Sequence, residues 1–150
     1  MSDPTPEMLT EVLSSVLEEA AFFMIEPEPV PQSLDGDVFC ASIDFEAMRG
    51  GQLRLTASRN LARNLAANML GIDPGDPEAD EQGRNALGEI LNVLGGAFVT
   101  RHFGTKTPFQ LGLPVVADEP PATRRFTCAA AVRVDTGDLV VLELDLEPGR

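Results

Sequence analysis

A chain of 150 residues with 43% hydrophobic content and a mean hydropathy near zero is long enough for one domain, residues 1–150, built on its own core. Its formal net charge of -13 argues against a nucleic-acid partner, which requires a basic face to displace counterions. No apolar run reaches the roughly 18 residues needed to span a bilayer, and no secretory signal is visible at the start, so the expectation is a cytoplasmic protein without a membrane partner.

The first predicted element is a helix from Pro6 to Ile25, capped by Thr5, with Met8, Leu9, Val12, Leu13, Val16, Leu17, Ala20, Phe23 and Met24 on its apolar stripe. Its polar face is acidic (Glu7, Glu11, Glu18, Glu19), which disfavours anionic membrane surfaces. The prolines from Pro27 to Pro31 stop the helix and continue as an extended linker. A hairpin follows. Asp37 to Phe45 puts Phe39, Ala41, Ile43 and Phe45 on one side, and Gly51 to Ala57 does the same with Leu53, Leu55 and Ala57. Gly50 and Gly51 read as turn residues free to take positive φ. Ser58 then caps a helix over Arg59 to Leu70, with Gly71 as its stop. The acidic, breaker-rich stretch from Gly71 to Asp80 lacks the ligand spacing of a calcium loop and reads as a surface connection.

A long helix is predicted from Asp76 to Gly104. Asp76 caps it, Pro77 suits its first position, and Glu78 places negative charge near the positive end of the dipole. At about 100° per residue, Ala86, Leu87, Ile90, Leu91, Val93, Leu94, Ala97 and Phe98 form a broad apolar side. Asn85, Glu89, Asn92 and Gly96 fall opposite, in a stripe roughly 60° wide. Asn competes for backbone hydrogen bonds inside a helix. Gly83, Gly88, Gly95 and Gly96 lie in or near the same element, and each interior glycine costs about 1 kcal/mol against Ala. Two accounts stay open at this point. Either something must approach the backbone closely, or Gly88 and Gly95 admit a neighbouring helix while Glu89 and Asn92 are merely solvated.

Beyond this helix, Thr107 to Val116 alternates through Phe109, Leu111, Leu113 and Val115, with Pro108 and Pro114 marking an exposed strand or interrupted pairing. Phe126 to Val134 and Val140 to Leu146 form a hairpin around Asp135–Asp138, with Glu143 and Asp145 on the solvent side. The order of elements predicts an α+β fold: an antiparallel sheet of about five or six strands with helices packed on one face. Cys40 and Cys128 read as buried free thiols. His102, the only histidine, reads as a surface ring whose positive charge would suit the helix C-terminus. No nucleophile has a base beside it in sequence, no glycine loop cradles phosphate, and no ligand pair fits a metal. Any chemistry here must work without its own nucleophile or metal.

The pattern Asn85-x-x-x-Glu89-x-x-Asn92, within Ala86-Leu-Gly-Glu-Ile-Leu-Asn-Val-Leu-Gly-Gly96, resembles the signature helix of the CheC/CheX family of chemotaxis phosphatases. The order of elements is similar over nearly the whole chain, and the single motif copy is nearer to CheX. The resemblance implies a phosphatase for the aspartyl phosphate of a CheY-like response regulator. In it Asn92 would orient the attacking water and Glu89 would anchor to the partner's lysine; both are the implied catalytic residues. Asn85, Gly88, Gly95 and Gly96 are the implied partner-binding positions, although Asn85 departs from the Asp or Ser usual there. No cofactor of its own is implied; Mg2+ is expected in the partner. A homodimer joined through sheet edges is left open, as is a non-catalytic adaptor or a flagellar-switch-like module of the same fold.

Overall fold

The computed structural model describes residues 3–33, 36–120 and 125–148. Helix α1 (Pro6–Ala21) is followed by strand β1 (Ile25–Glu28), the hairpin β2 (Val38–Glu46) and β3 (Gly50–Ser58), and helix α2 (Arg59–Leu70). A short helix α3 (Pro77–Glu81) leads into the long helix α4 (Gly83–Phe103), and strands β4 (Gln110–Leu111), β5 (Val115–Ala117), β6 (Cys128–Val134) and β7 (Leu139–Leu146) complete the order. All pairings are antiparallel. The strands run β1-β6-β7-β3-β2, and β4 and β5 share the remaining edge of β2. This is the expected α+β fold.

One face of the sheet carries Phe39, Ala41, Ile43 and Phe45 from β2, Leu53 and Leu55 from β3, Ala130 and Val132 from β6, and Leu142 and Leu144 from β7. The buried sides of α1, α2 and α4 close over them in one apolar core. Phe45 and Phe98 meet there at 5.6 Å between ring centroids, tying β2 to α4. The caps act as the sequence predicts. Thr5 Oγ1 accepts from Met8 N, Ser58 Oγ from Leu61 N, and Asp76 Oδ1 from Glu78 N, while Gly71 ends α2 at φ 69°.

Several expectations are corrected. Helix α1 stops at Phe22, which takes the left-handed region at φ 61°. The proline run that follows is extended as expected, but its first part is a strand: Ile25–Glu28 pairs with β6, and Met24 stands exposed. Gly50 and Gly51 lie inside β3, not in a positive-φ turn. Gly51 is needed for space, since a Cβ there would fall 2.7 Å from both the Asp145 carbonyl oxygen and the Phe45 ring. Of the two readings for Thr107–Val116, interrupted pairing is the one found: the segment splits at Gly112-Leu113-Pro114, because Pro114 cannot continue a ladder.

Glu143 is fully buried rather than solvated. It faces Arg54 across β3 and β7 on the sheet side away from the helices, which is itself largely covered. Pro31 and Ser33 line a hollow there with Val38, Thr56, Leu139 and Val141, and the Arg125 carbonyl oxygen accepts from Arg54. Cys40, on this face, and Cys128, on the core face, are buried free thiols as expected. Burial pushes both up, Cys128 to about 11.

Candidate active site

The rod that carries the polar stripe is built in two pieces. Asp76 and Pro77 start α3, and Gln82, at φ -91° and ψ 0°, interrupts the helix for one residue. The backbone ladder still runs through the interruption, with Gln82 N donating to Glu78 O and Ala86 N to Gln82 O. The first turn of α4 rests on α2, where Gly83 leaves only 3.3 Å between its would-be Cβ and Ala62. Ala86, Leu87, Ile90, Leu91, Leu94 and Phe98 enter the core, so the opposite side must face outward. Val93 departs from the apolar side and is 46% exposed.

Asn85, Glu89 and Asn92 are all exposed, as the helical period requires. Glu89 and Asn92, three positions apart, are separated by about 4.5 Å along the helix axis. Among the described residues neither side chain has a hydrogen-bond or ion-pair partner. Asn85 differs, because its Nδ2 donates to Gln82 Oε1 at 3.0 Å. Two hollows flank the stripe. The larger, about 650 Å³, is lined by Gln82, Arg84, Asn85, Gly88, Glu89 and Asn92 on the helix, with Val93 beside them and Leu113, Pro114 and Val116 opposite. The smaller lies toward α2, between Asn85 and Glu89 on one side and Ala66, Met69 and Leu70 on the other. Glu89 lines both.

The glycines divide by what covers them. Gly88 faces Pro114, with 3.5 Å from a would-be Cβ to Pro114 Cγ, and Gly95 faces Leu111 at 3.2 Å. The element that packs against them is therefore the β4–β5 strap of the chain itself, not a neighbouring helix. A would-be Cβ on Gly96 meets nothing within 4 Å, so its backbone is open to a visitor. Arg84 fastens the same strap, donating to the Val116 carbonyl oxygen and pairing with Asp118. Sequence reasoning marked Pro108 and Pro114 as signs of an exposed strand or interrupted pairing, but did not bring the strap to the site.

Chemically the stripe offers a carboxylate and a carboxamide to a group brought from outside. An amide donates and accepts at once, whereas a carboxylate at neutral pH accepts only. No group of three or more metal-ligating side chains occurs among the described residues. His102 lies in the last turn of α4, stacked on Phe98 at 5.7 Å and edge-on to Phe103 at 4.7 Å, far along the rod from the stripe. It is half-buried, not the surface ring the sequence suggests, and burial followed by the charge of Arg49 lowers its pKa. No helix among the described residues is long and apolar enough to cross a membrane.

A family model described as chemotaxis phosphatase CheX matches residues 39–133. No curated protein matches the chain. Among solved structures, a chemotaxis protein CheX from Desulfovibrio desulfuricans is 22% identical with a TM-score of 0.72, covering 93% of this chain and 96% of that one. A complex of CheX with CheY, BeF3 and Mg2+ from Borrelia burgdorferi also scores 0.72, at 18% identity, covering 95% and 97%. A chemotaxis protein CheX from Vibrio vulnificus scores 0.70 at 24% identity, covering 93% of each chain. At these identities the structural likenesses establish the shared fold.

Proposed function

The chain belongs to the chemotaxis phosphatase CheX family, and on that premise we propose that it hydrolyses the aspartyl phosphate of a CheY-like response regulator. The observation that carries this reading is the pair Glu89 and Asn92. They stand one helical turn apart on a rigid rod, exposed, without partners among the described residues, and beside a cleft open to another protein. An acyl phosphate is already reactive, so the enzyme's task is to place a water in line with the phosphorus. Asn92 enters the regulator's pocket, accepting from that water and holding its lone pair toward the phosphorus. The water oxygen bonds to phosphorus as the bond to the aspartyl carboxylate breaks, and inorganic phosphate leaves.

Glu89 pairs with the regulator's lysine and fixes the depth of insertion. Asn85, held by Gln82, shapes the approach; Gly88 and Gly95 seat the strap that forms the cleft's far wall, and Gly96 admits the partner's backbone. Charge on the phosphoryl oxygens is neutralised by Mg2+ bound in the regulator, in keeping with the relative's complex with CheY and Mg2+. The reading is tested by timing phosphate release from a phosphorylated CheY-like regulator. Wild type shortens the acyl phosphate's lifetime, and Asn92→Ala slows the catalysed step by about 100-fold or more while binding a regulator loaded with beryllofluoride and Mg2+ as wild type does. A non-catalytic adaptor would bind equally well and leave the lifetime unaltered.

A further inference from the structure

Leu113, at the tip of the strap between β4 and β5, is 88% exposed, the most of any large apolar side chain among the described residues. A leucine in that setting adds nothing to the core, yet the strap that presents it is held firmly. Gly112 N donates to the Asp44 carbonyl oxygen at 2.8 Å, Leu111 packs over Gly95, Pro114 packs over Gly88, and Arg84 binds the Val116 carbonyl oxygen. Pro114 restricts the tip further, since its ring fixes its own φ and biases Leu113 before it toward extended backbone. Leu113, Pro114 and Val116 form the apolar wall of the cleft whose polar wall is Asn85, Glu89 and Asn92, and Val93, itself exposed, lies between.

We propose that Leu113, with Pro114 and Val93, is the apolar seat on which the response regulator docks while Glu89 and Asn92 enter its pocket. The inference rests on the functional reading above and assigns the regulator's affinity to the strap. A partner that reaches Asn92 must cover this wall, because the two sides of the cleft are continuous. The matching surface on the regulator is an apolar side chain beside its phosphorylation pocket. Covering this leucine removes apolar surface from water, and fixing the strap in advance lowers the ordering cost of binding.

The test uses a CheY-like regulator loaded with beryllofluoride and Mg2+ for binding, and the same regulator phosphorylated for turnover. Leu113→Asp is expected to weaken Kd by about tenfold or more and to raise KM in parallel, with turnover recovering as regulator saturates. Leu113→Met is expected to keep near wild-type affinity. Met48→Asp, an equally apolar exposed position in the β2–β3 turn that lines neither hollow, serves as the control and changes nothing. A Kd for Leu113→Asp within twofold of wild type, or a loss confined to kcat, overturns the seat while leaving the phosphatase reading intact. Conversion of an oligomer to a monomer by Leu113→Asp with regulator affinity unchanged also overturns it, since the occupant is then a second copy. Should wild type bind the regulator through Leu113 yet leave its acyl phosphate untouched, the seat stands and the enzymatic reading falls. Absence of any binding by wild type overturns both.

Discussion

Arg54 and Glu143 stand opposite one another on β3 and β7, with Nε 3.8 Å from Oε1, on the sheet face turned away from the helices. Both are buried, Glu143 completely. Removing Glu143 takes the counter-charge from the buried Arg54 guanidinium in a low dielectric, whereas replacing both with apolar residues removes the problem. Glu143→Leu alone is expected to cost about 3–5 kcal/mol in urea unfolding, and the double variant Arg54→Met/Glu143→Leu to recover most of that loss. Additive losses in the double variant would show that the two residues act separately.

Glu89 is exposed and lies at the junction of both hollows. If it pairs with the regulator's lysine, its removal acts on the complex and not on the fold. Glu89→Ala is expected to weaken regulator binding by about tenfold, to reduce the salt dependence of binding, and to leave the unfolding midpoint within about 0.5 kcal/mol of wild type. Titrations at low and high ionic strength, paired with urea curves, check this. An unchanged Kd at both salt concentrations would remove Glu89 from the interface.

Gly96 and Gly51 predict opposite outcomes for the same substitution. Gly96 sits in the interior of α4 with open space where a Cβ would go, so Gly96→Ala gains up to about 1 kcal/mol of helix propensity. The melting temperature should rise by about 2–4 °C, while turnover of the phosphorylated regulator falls because the added methyl meets the visitor. A Cβ on Gly51 would press on the Asp145 carbonyl and the Phe45 ring at 2.7 Å, and Gly51→Ala is expected to lose about 1–3 kcal/mol. Calorimetry on both variants and a turnover assay on the first decide the matter.

His102 packs between Phe98 and Phe103, and burial, then the neighbouring charge of Arg49, holds its pKa below the ordinary 6.5. The unfolded chain therefore takes up this proton first as pH falls. The histidine's contribution to stability is complete above pH 6.5 and is lost progressively below it, down to the folded pKa. NMR titration of the imidazole should give a value under 6.5, and His102→Gln should flatten this part of the stability profile. An imidazole titrating above 6.5 would mean that the helix dipole outweighs burial.

How much of this was legible beforehand depends on whether a local rule or a distant contact decides each residue. Thr5, Ser58, Asp76 and Gly71 end their helices by chemistry within four residues, so the sequence specifies them. Asn85, Glu89 and Asn92 followed from the helical period alone, because the buried side of α4 leaves them nowhere else to point. Glu143 was misplaced for the opposite reason. Alternation assigns it to the outer face correctly, but only the fold reveals that other segments cover that face. His102 likewise reads as a surface ring until Phe98 and Phe103 are seen on two sides of it. The strap is invisible to periodicity, since Leu113 keeps the strand's phase while Pro114 destroys its pairing.

The order of the sheet carries a consequence for biosynthesis. Strand β7, the last of the described strands in chain order, lies between β3 and β6 in the middle of the sheet. Until it emerges, the nascent β2–β3 hairpin presents an unpaired edge at β3, and β6 has no neighbour on that side. The cluster of contacts around Leu142 and Leu144 therefore forms only after translation has passed them, and premature termination before residue 139 would release a chain with its central seam open to aggregation.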